Sequence, residues 1–152
     1  MVISNEFGGD GAELLNKGNR HWFCINFEKY NRNESSLQFD QHMVVALIAP
    51  RPVYIASAEL DKGADPYGKF LTAKAANPVY RFLGTEEFFA DTFPALHQPV
   101  FGGIGHRIRA GNHDVTKYDW EQYIHSPASI SNESDQKPTR KPNKLTDKTI
   151  VP

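Results

Sequence analysis

The sequence predicts an α/β fold, a partial parallel sheet flanked by helices, and three observations carry that prediction. Val53 to Ala58 is a short apolar run rich in strand formers and bounded by prolines, as a buried parallel strand is. Gly102 to Arg109 reads as a second and last strand, after a helical stretch. Each strand leads into a loop rich in titratable groups and then into a helix. The resulting order (strand, acidic loop, helix, strand, histidine loop, helix) is that of the second half of a doubly wound sheet.

Composition sets the outer limits. The chain has 152 residues, 39% apolar and 12% aromatic, which is one domain's length with enough apolar mass for a core. Seventeen basic and 18 acidic residues leave a formal charge of -1, so no net field favours nucleic acid or an anionic membrane as partner. A single cysteine, Cys24, excludes an internal disulfide and a multi-cysteine zinc site. No window approaches the roughly 18 to 20 apolar residues of a membrane span, and Met1 to Glu6 lacks the pattern of a leader peptide.

Taken in order, Val2 to Ser4 is a strand candidate, followed by a Gly-rich turn and a helical turn at Ala12 to Leu15 that Gly18-Asn19 breaks. Phe23, Phe27 and Tyr30 recur at i, i+4 and i+7, one face of a helix, and read as core packing. Asp40 is a predicted N-cap for a helix over Gln41 to Ile48, which Pro50 and Pro52 stop. His42 in its first turn reads as a hydrogen-bonded histidine ahead of a ligand or base. After the strand comes the acidic loop Glu59 to Pro66, at the sheet edge where ligands collect, with Asp65 capping the next helix. That helix is expected from about Gly68, interrupted near Asn77-Pro78 and resumed to Leu83-Gly84. Thr85 to Pro99 is irregular, with Phe88, Phe89 and Phe93 covering an edge of the core. A final helix is expected from Thr116 to Ile124. Residues 1–125 form the predicted domain. From Ser126 to Pro152 the chain has no aromatic residue and four prolines, and it reads as a disordered tail.

The residue that points to chemistry is His113, on the Gly111-Asn112 turn directly before the last helix. A histidine there fits the base of a Ser, acid, His series in an α/β-hydrolase. That chemistry also needs a Gly-x-Ser-x-Gly elbow, and the sequence contains none.

Several segments, in their order and spacing, carry a resemblance. They are Phe39-Asp40-Gln41-His42-Met43, Ala46 to Val53, Ala56-Ser57-Ala58-Glu59, Ala64-Asp65-Pro66, Ala73-Lys74-Ala75-Ala76, Pro78-Val79-Tyr80-Arg81 and Gly111 to Trp120. Together, over about residues 2–124, they resemble the bacterial branch of the glucuronoyl esterase family of carbohydrate esterases. The resemblance implies the C-terminal half of an α/β-hydrolase fold, and a serine esterase acting on esters of glucuronic or 4-O-methylglucuronic acid in plant or algal polysaccharide. It implies a periplasmic or secreted setting, a carbohydrate ester as partner, no metal and no cofactor. His113 matches the family base in Gly-x-His-Asp-Val-Thr. Glu6 matches one position for the acid that orients it, and Asp61, after the strand, matches the other. The serine is expected ahead of Met1, so that the isolated chain lacks its nucleophile, needs the N-terminal half and is inactive.

Two departures are visible. Gly63 stands where the family commonly has a Trp, and the stretch from Ala12 to His21 is about ten residues shorter than in relatives. An esterase for acetylated xylan and a noncatalytic, degenerate domain remain as alternatives.

Overall fold

The computed structural model describes residues 10–85 and 87–126. The readings of Val2 to Ser4, of Glu6 and of the tail beyond Ser126 lie outside these residues. Helix α1 (Ala12–Gly18) is followed by short 3-10 turns, then α2 (Gln41–Ala46), β1 (Val53–Ala58), α3 (Pro66–Phe82), β2 (Ile104–Arg109) and α4 (Lys117–His125). The two strands pair in parallel, Val53 opposite Ile104 through Ala58 opposite Arg109. The intervening chain, dominated by α3, is the crossover that a parallel pair requires.

Strand β2 is buried along its whole length, and alternation assigns its side chains to two different helices. Ile104 and His106 face α3, where His106 lies edge-on to Phe70 at 5.8 Å. Arg107 and Arg109 point to the other side and meet Asp119 of α4. The core forms on the α3 side from Phe70, Ala73, Ala76, Tyr80, Phe88 and Ile104. Small alanines at 73 and 76, both fully buried, let α3 lie close to the sheet. Among the described residues the sheet has only these two strands, so β1 has one unpaired edge and is not flanked on both sides as an interior strand is.

Several expectations are corrected. The aromatic helix over residues 21–30 is two 3-10 pieces, Arg20–Trp22 and Ile25–Tyr30, because Cys24 is extended (ψ 154°) and breaks the run. Phe23 and Phe27 still stack, at 4.7 Å, but this half-buried cluster packs beside α1 and is no part of the core. Helix α2 stops at Ala46, two residues early: Leu47 keeps right-handed helical angles, but the chain tightens into turns in which the Ile48 and Ala49 amides donate to the Val45 and Ala46 carbonyls before Pro50. Helix α3 runs unbroken through Pro78. The buried face of Ala73, Ala76 and Tyr80 spans the proline, and burial outweighs the one hydrogen bond that Pro78 cannot make. Asn77, beside it, turns its side chain outward to accept from the Phe88 amide at 2.7 Å and so ties the irregular segment to α3. Phe88 enters the core and Phe93 packs against it, whereas Phe89 is 70% exposed. Strand β2 starts at Ile104, after the bend at Gly102-Gly103.

Two helix starts follow the sequence. Asp65 accepts from the Gly68 amide at 2.9 Å, with Pro66 in the first turn of α3. Thr116 and Asp119 form a reciprocal capping box at α4.

Candidate active site

Because β1 and β2 run parallel and in register, the loops that follow them leave the sheet at the same end. Asp61 is on the first and His113 on the second. Backbone hydrogen bonds fasten the loops together: the Glu59 amide donates to the Arg109 carbonyl at 2.8 Å and the Leu60 amide to the Gly111 carbonyl at 3.0 Å. Gly111 turns the chain here with φ 101°, a conformation that a side chain would strain.

The result is one short contact. His113 Nδ1 lies 2.8 Å from Asp61 Oδ2, across 52 residues of sequence. A carboxylate oxygen only accepts, so Nδ1 donates and Nε2 is left as the acceptor nitrogen. Nε2 makes no hydrogen bond among the described residues, and the His113 side chain is 87% exposed against 18% for Asp61. The carboxylate is set into the protein, while the imidazole stands over a cavity of about 440 Å³ lined by Ala58, Asp61, Lys69, Asp114 and Tyr123 among others. Burial pushes the Lys69 ammonium down from its ordinary value, against the opposing pull of Asp61 and Asp65. An imidazole oriented in this way can take a proton from a hydroxyl brought to Nε2 and return it to a leaving group.

Beneath the histidine loop lies a polar network. The guanidinium of Arg109 donates to the carbonyls of Ala110 at 2.9 Å, Asn112 at 3.0 Å and Asp114 at 2.5 Å. Its Nε also meets both oxygens of Asp119, at 3.2 and 3.0 Å. Asp119 binds Arg107 as well, and accepts from the Thr116 amide at 2.5 Å and the Thr116 hydroxyl at 2.9 Å. Burial raises the Asp119 carboxyl, but the Thr116 hydrogen bonds and the two arginines outweigh it and hold the group below the usual carboxylate range. Sequence reading missed both arginines and saw Asp119 only as part of a helix. The available signals were the Thr116-x-x-Asp119 capping spacing and two arginines at i, i+2 on one strand face.

Of the other readings, His42 lies in the first turn of α2, its Nδ1 3.6 Å from Asp40 Oδ2, too long for the hydrogen bond expected of it. It does not line the cavity under His113. At Gly63 the carboxylate of Asp10 fills the adjoining space: a Cβ there would come within 3.0 Å of Asp10 Oδ2, and the Asp10 amide donates to the Gly63 carbonyl at 2.9 Å.

Comparison with known proteins agrees with this architecture. The family model for fungal glucuronyl esterases matches residues 5–84. Carbohydrate esterase MZ0003, from an unknown prokaryotic organism, is 48% identical over 135 residues, covering 82% of this chain and 31% of the relative. Among solved structures, a promiscuous CE15 esterase from the marine bacterial metagenome superposes with a TM-score of 0.74 at 48% identity, over 76% of this chain and 29% of the other. The glucuronoyl esterase from Solibacter usitatus gives 0.69 at 50% identity, over 74% and 29%. The chain thus spans about three tenths of the length of these relatives. With its parallel strands, flanking helices and matched segments, the chain belongs to the glucuronoyl esterase family, with an α/β-hydrolase type of fold.

Proposed function

We propose that this chain supplies the base and the orienting acid of a serine-type carboxylic ester hydrolase acting on (4-O-methyl)glucuronoyl esters of plant or algal polysaccharide. The observation that carries the reading is the 2.8 Å contact between His113 and Asp61 at the carboxyl ends of paired parallel strands. The nucleophile comes from a Gly-x-Ser-x-Gly elbow outside these 152 residues, in keeping with the share of the relatives that the chain covers.

In the complete site the serine hydroxyl attacks the ester carbonyl as His113 Nε2 takes its proton. Asp61 holds the Nδ1–H and stabilises the imidazolium. The proton then passes to the departing alcohol, leaving the uronoyl group esterified to the serine. Water, activated by the same nitrogen, attacks that ester and releases the acid and the free serine. Asp61 is the acid in this scheme on the strength of its contact; Glu6, outside the described residues, is the alternative.

The test is hydrolysis of benzyl glucuronate. The 152-residue chain alone is expected to show none, since it lacks the nucleophile and its oxyanion donors. A full-length version carrying the elbow is expected to be active, to lose activity in His113→Ala, and to fall by about 10³ to 10⁴ in kcat in Asp61→Asn. Turnover by the short chain that His113→Ala abolishes would refute the missing nucleophile. An undiminished rate in Asp61→Asn would move the acid to Glu6. Gly63, standing where the family commonly has a Trp, favours a second reading, a site that accepts acetyl esters. The ratio of rates on uronate and acetyl esters decides between them.

A further inference from the structure

We propose that Arg109 is the positioning residue that presents His113 to Asp61, acting through the backbone of the loop between β2 and α4. The proposal rests on reading His113 and Asp61 as base and acid. It adds the part that holds them in place.

The need for such a part follows from exposure. With its side chain 87% exposed, His113 has almost no packing to fix its ring, so the position of Nδ1 depends on where the backbone of the loop lies. A loop of this kind is ordinarily mobile, because its carbonyls are equally well satisfied by water. Here they are not left to water. The carbonyls of Ala110, Asn112 and Asp114 all converge on one guanidinium, and two of them belong to the residues on either side of His113.

The guanidinium is itself immobile. Arg109 is 4% exposed, and its Nε is bound to both oxygens of Asp119. Asp119 in turn is held by Arg107 and by the first turn of α4, through Thr116. One planar fork therefore links the end of β2, the middle of the histidine loop and the start of α4. Its donors lie in fixed directions, whereas a lysine would offer a single mobile ammonium that cannot reach three carbonyls and Asp119 in the same geometry. The loop of Asp61 needs no such device, being tied to residues 109 and 111 by backbone bonds. A displacement of about 1 Å in such a site costs on the order of 10²-fold in rate, which is why a held loop matters.

The test reads the imidazole itself and needs no substrate. In the ¹⁵N-labelled 152-residue chain, two-bond ¹H–¹⁵N correlations report the tautomer of each histidine. The expected wild-type signal for His113 is the Nδ1–H form that its contact with Asp61 selects. In Arg109→Lys, with unchanged far-ultraviolet circular dichroism and unchanged signals of buried His106, that pattern is expected to be lost to a mixture of tautomers. A folded Arg109→Lys that keeps the pure Nδ1–H pattern overturns the proposal. Should the variant fail to fold, the wild-type chain still decides: its Arg109 Nη protons are expected as separate, slowly exchanging signals, and a single averaged signal overturns the clamp. A wild-type His113 in the Nε2–H form overturns the Asp61 contact and the clamp with it. An inactive chain alters none of these signals, so failure of the esterase reading is told apart.

Discussion

At the scale of single residues, two histidines show how environment decides role. His113 stands in solvent with one nitrogen bound to a carboxylate. His106, seven positions earlier, is fully buried, has no partner for either ring nitrogen among the described residues and is ringed by Phe70, Phe88 and Phe93. Burial, reinforced by the nearby charges of Lys69 and Arg107, pushes its pKa down from 6.5 to about 4. A folded-state value below the unfolded one means that the stability contributed by neutral His106 is fully present above about pH 6.5. It is lost progressively as pH falls toward 4, because the unfolded chain binds the proton first. Over that window the loss is about 3 kcal/mol, and His106→Phe is expected to flatten it. Urea unfolding at pH 7 and pH 4.5 checks this; equal pH sensitivity in the variant would remove His106 as the cause. The sequence placed His106 inside a strand but left its burial and its aromatic cage invisible, because they come from α3 and the irregular segment after it.

At the scale of elements, helix starts were legible and helix continuity was not. A cap is a local interaction, within three residues, so Asp40 and Asp65 could be read directly. Asp65 also takes φ 43°, in the left-handed region that asparagine tolerates and alanine resists. Asp65→Ala is therefore expected to lower stability by about 1 to 2 kcal/mol and Asp65→Asn by less than about 0.5. Chemical denaturation compares the two; equal losses would show that the cap and the backbone conformation are not what α3 relies on. Pro78 marks the opposite case. Its local preference is to break a helix, but a buried face extending on both sides of it keeps α3 whole. The aromatic run at residues 21–30 fails for a related reason. Helical spacing alone does not make a helix where an extended Cys24 interrupts it and no core lies within reach.

At the scale of the whole molecule, the described residues leave much apolar surface uncovered. Phe82 is 87% exposed, Leu47 81% and Phe89 70%, with Met43 and Val44 of α2 about half exposed at 46% and 48%. Strand β1 has an unpaired edge among these residues. Exposed apolar surface and an open sheet edge each favour association over a stable monomer. The isolated chain is accordingly expected to show concentration-dependent self-association in sedimentation velocity, and a monomer that unfolds cooperatively would contradict this. No helix of the described residues is long and apolar enough to cross a membrane.

Local chemistry and residue order were enough to determine the α/β class, the positions of both strands, two helix caps and His113 as a candidate, since each depends on neighbours in sequence or on a linear pattern; Asp61 came in as a candidate acid through the family resemblance. The contact between Asp61 and His113 was beyond them. On paper Asp61 was one of two candidate acids, and the parallel register of β1 and β2 is what brings it to 2.8 Å from His113. The arginine fork under the loop likewise exists only in three dimensions. Its five contacts join a strand, a loop and a helix, and it takes its strength from a burial that no linear pattern records.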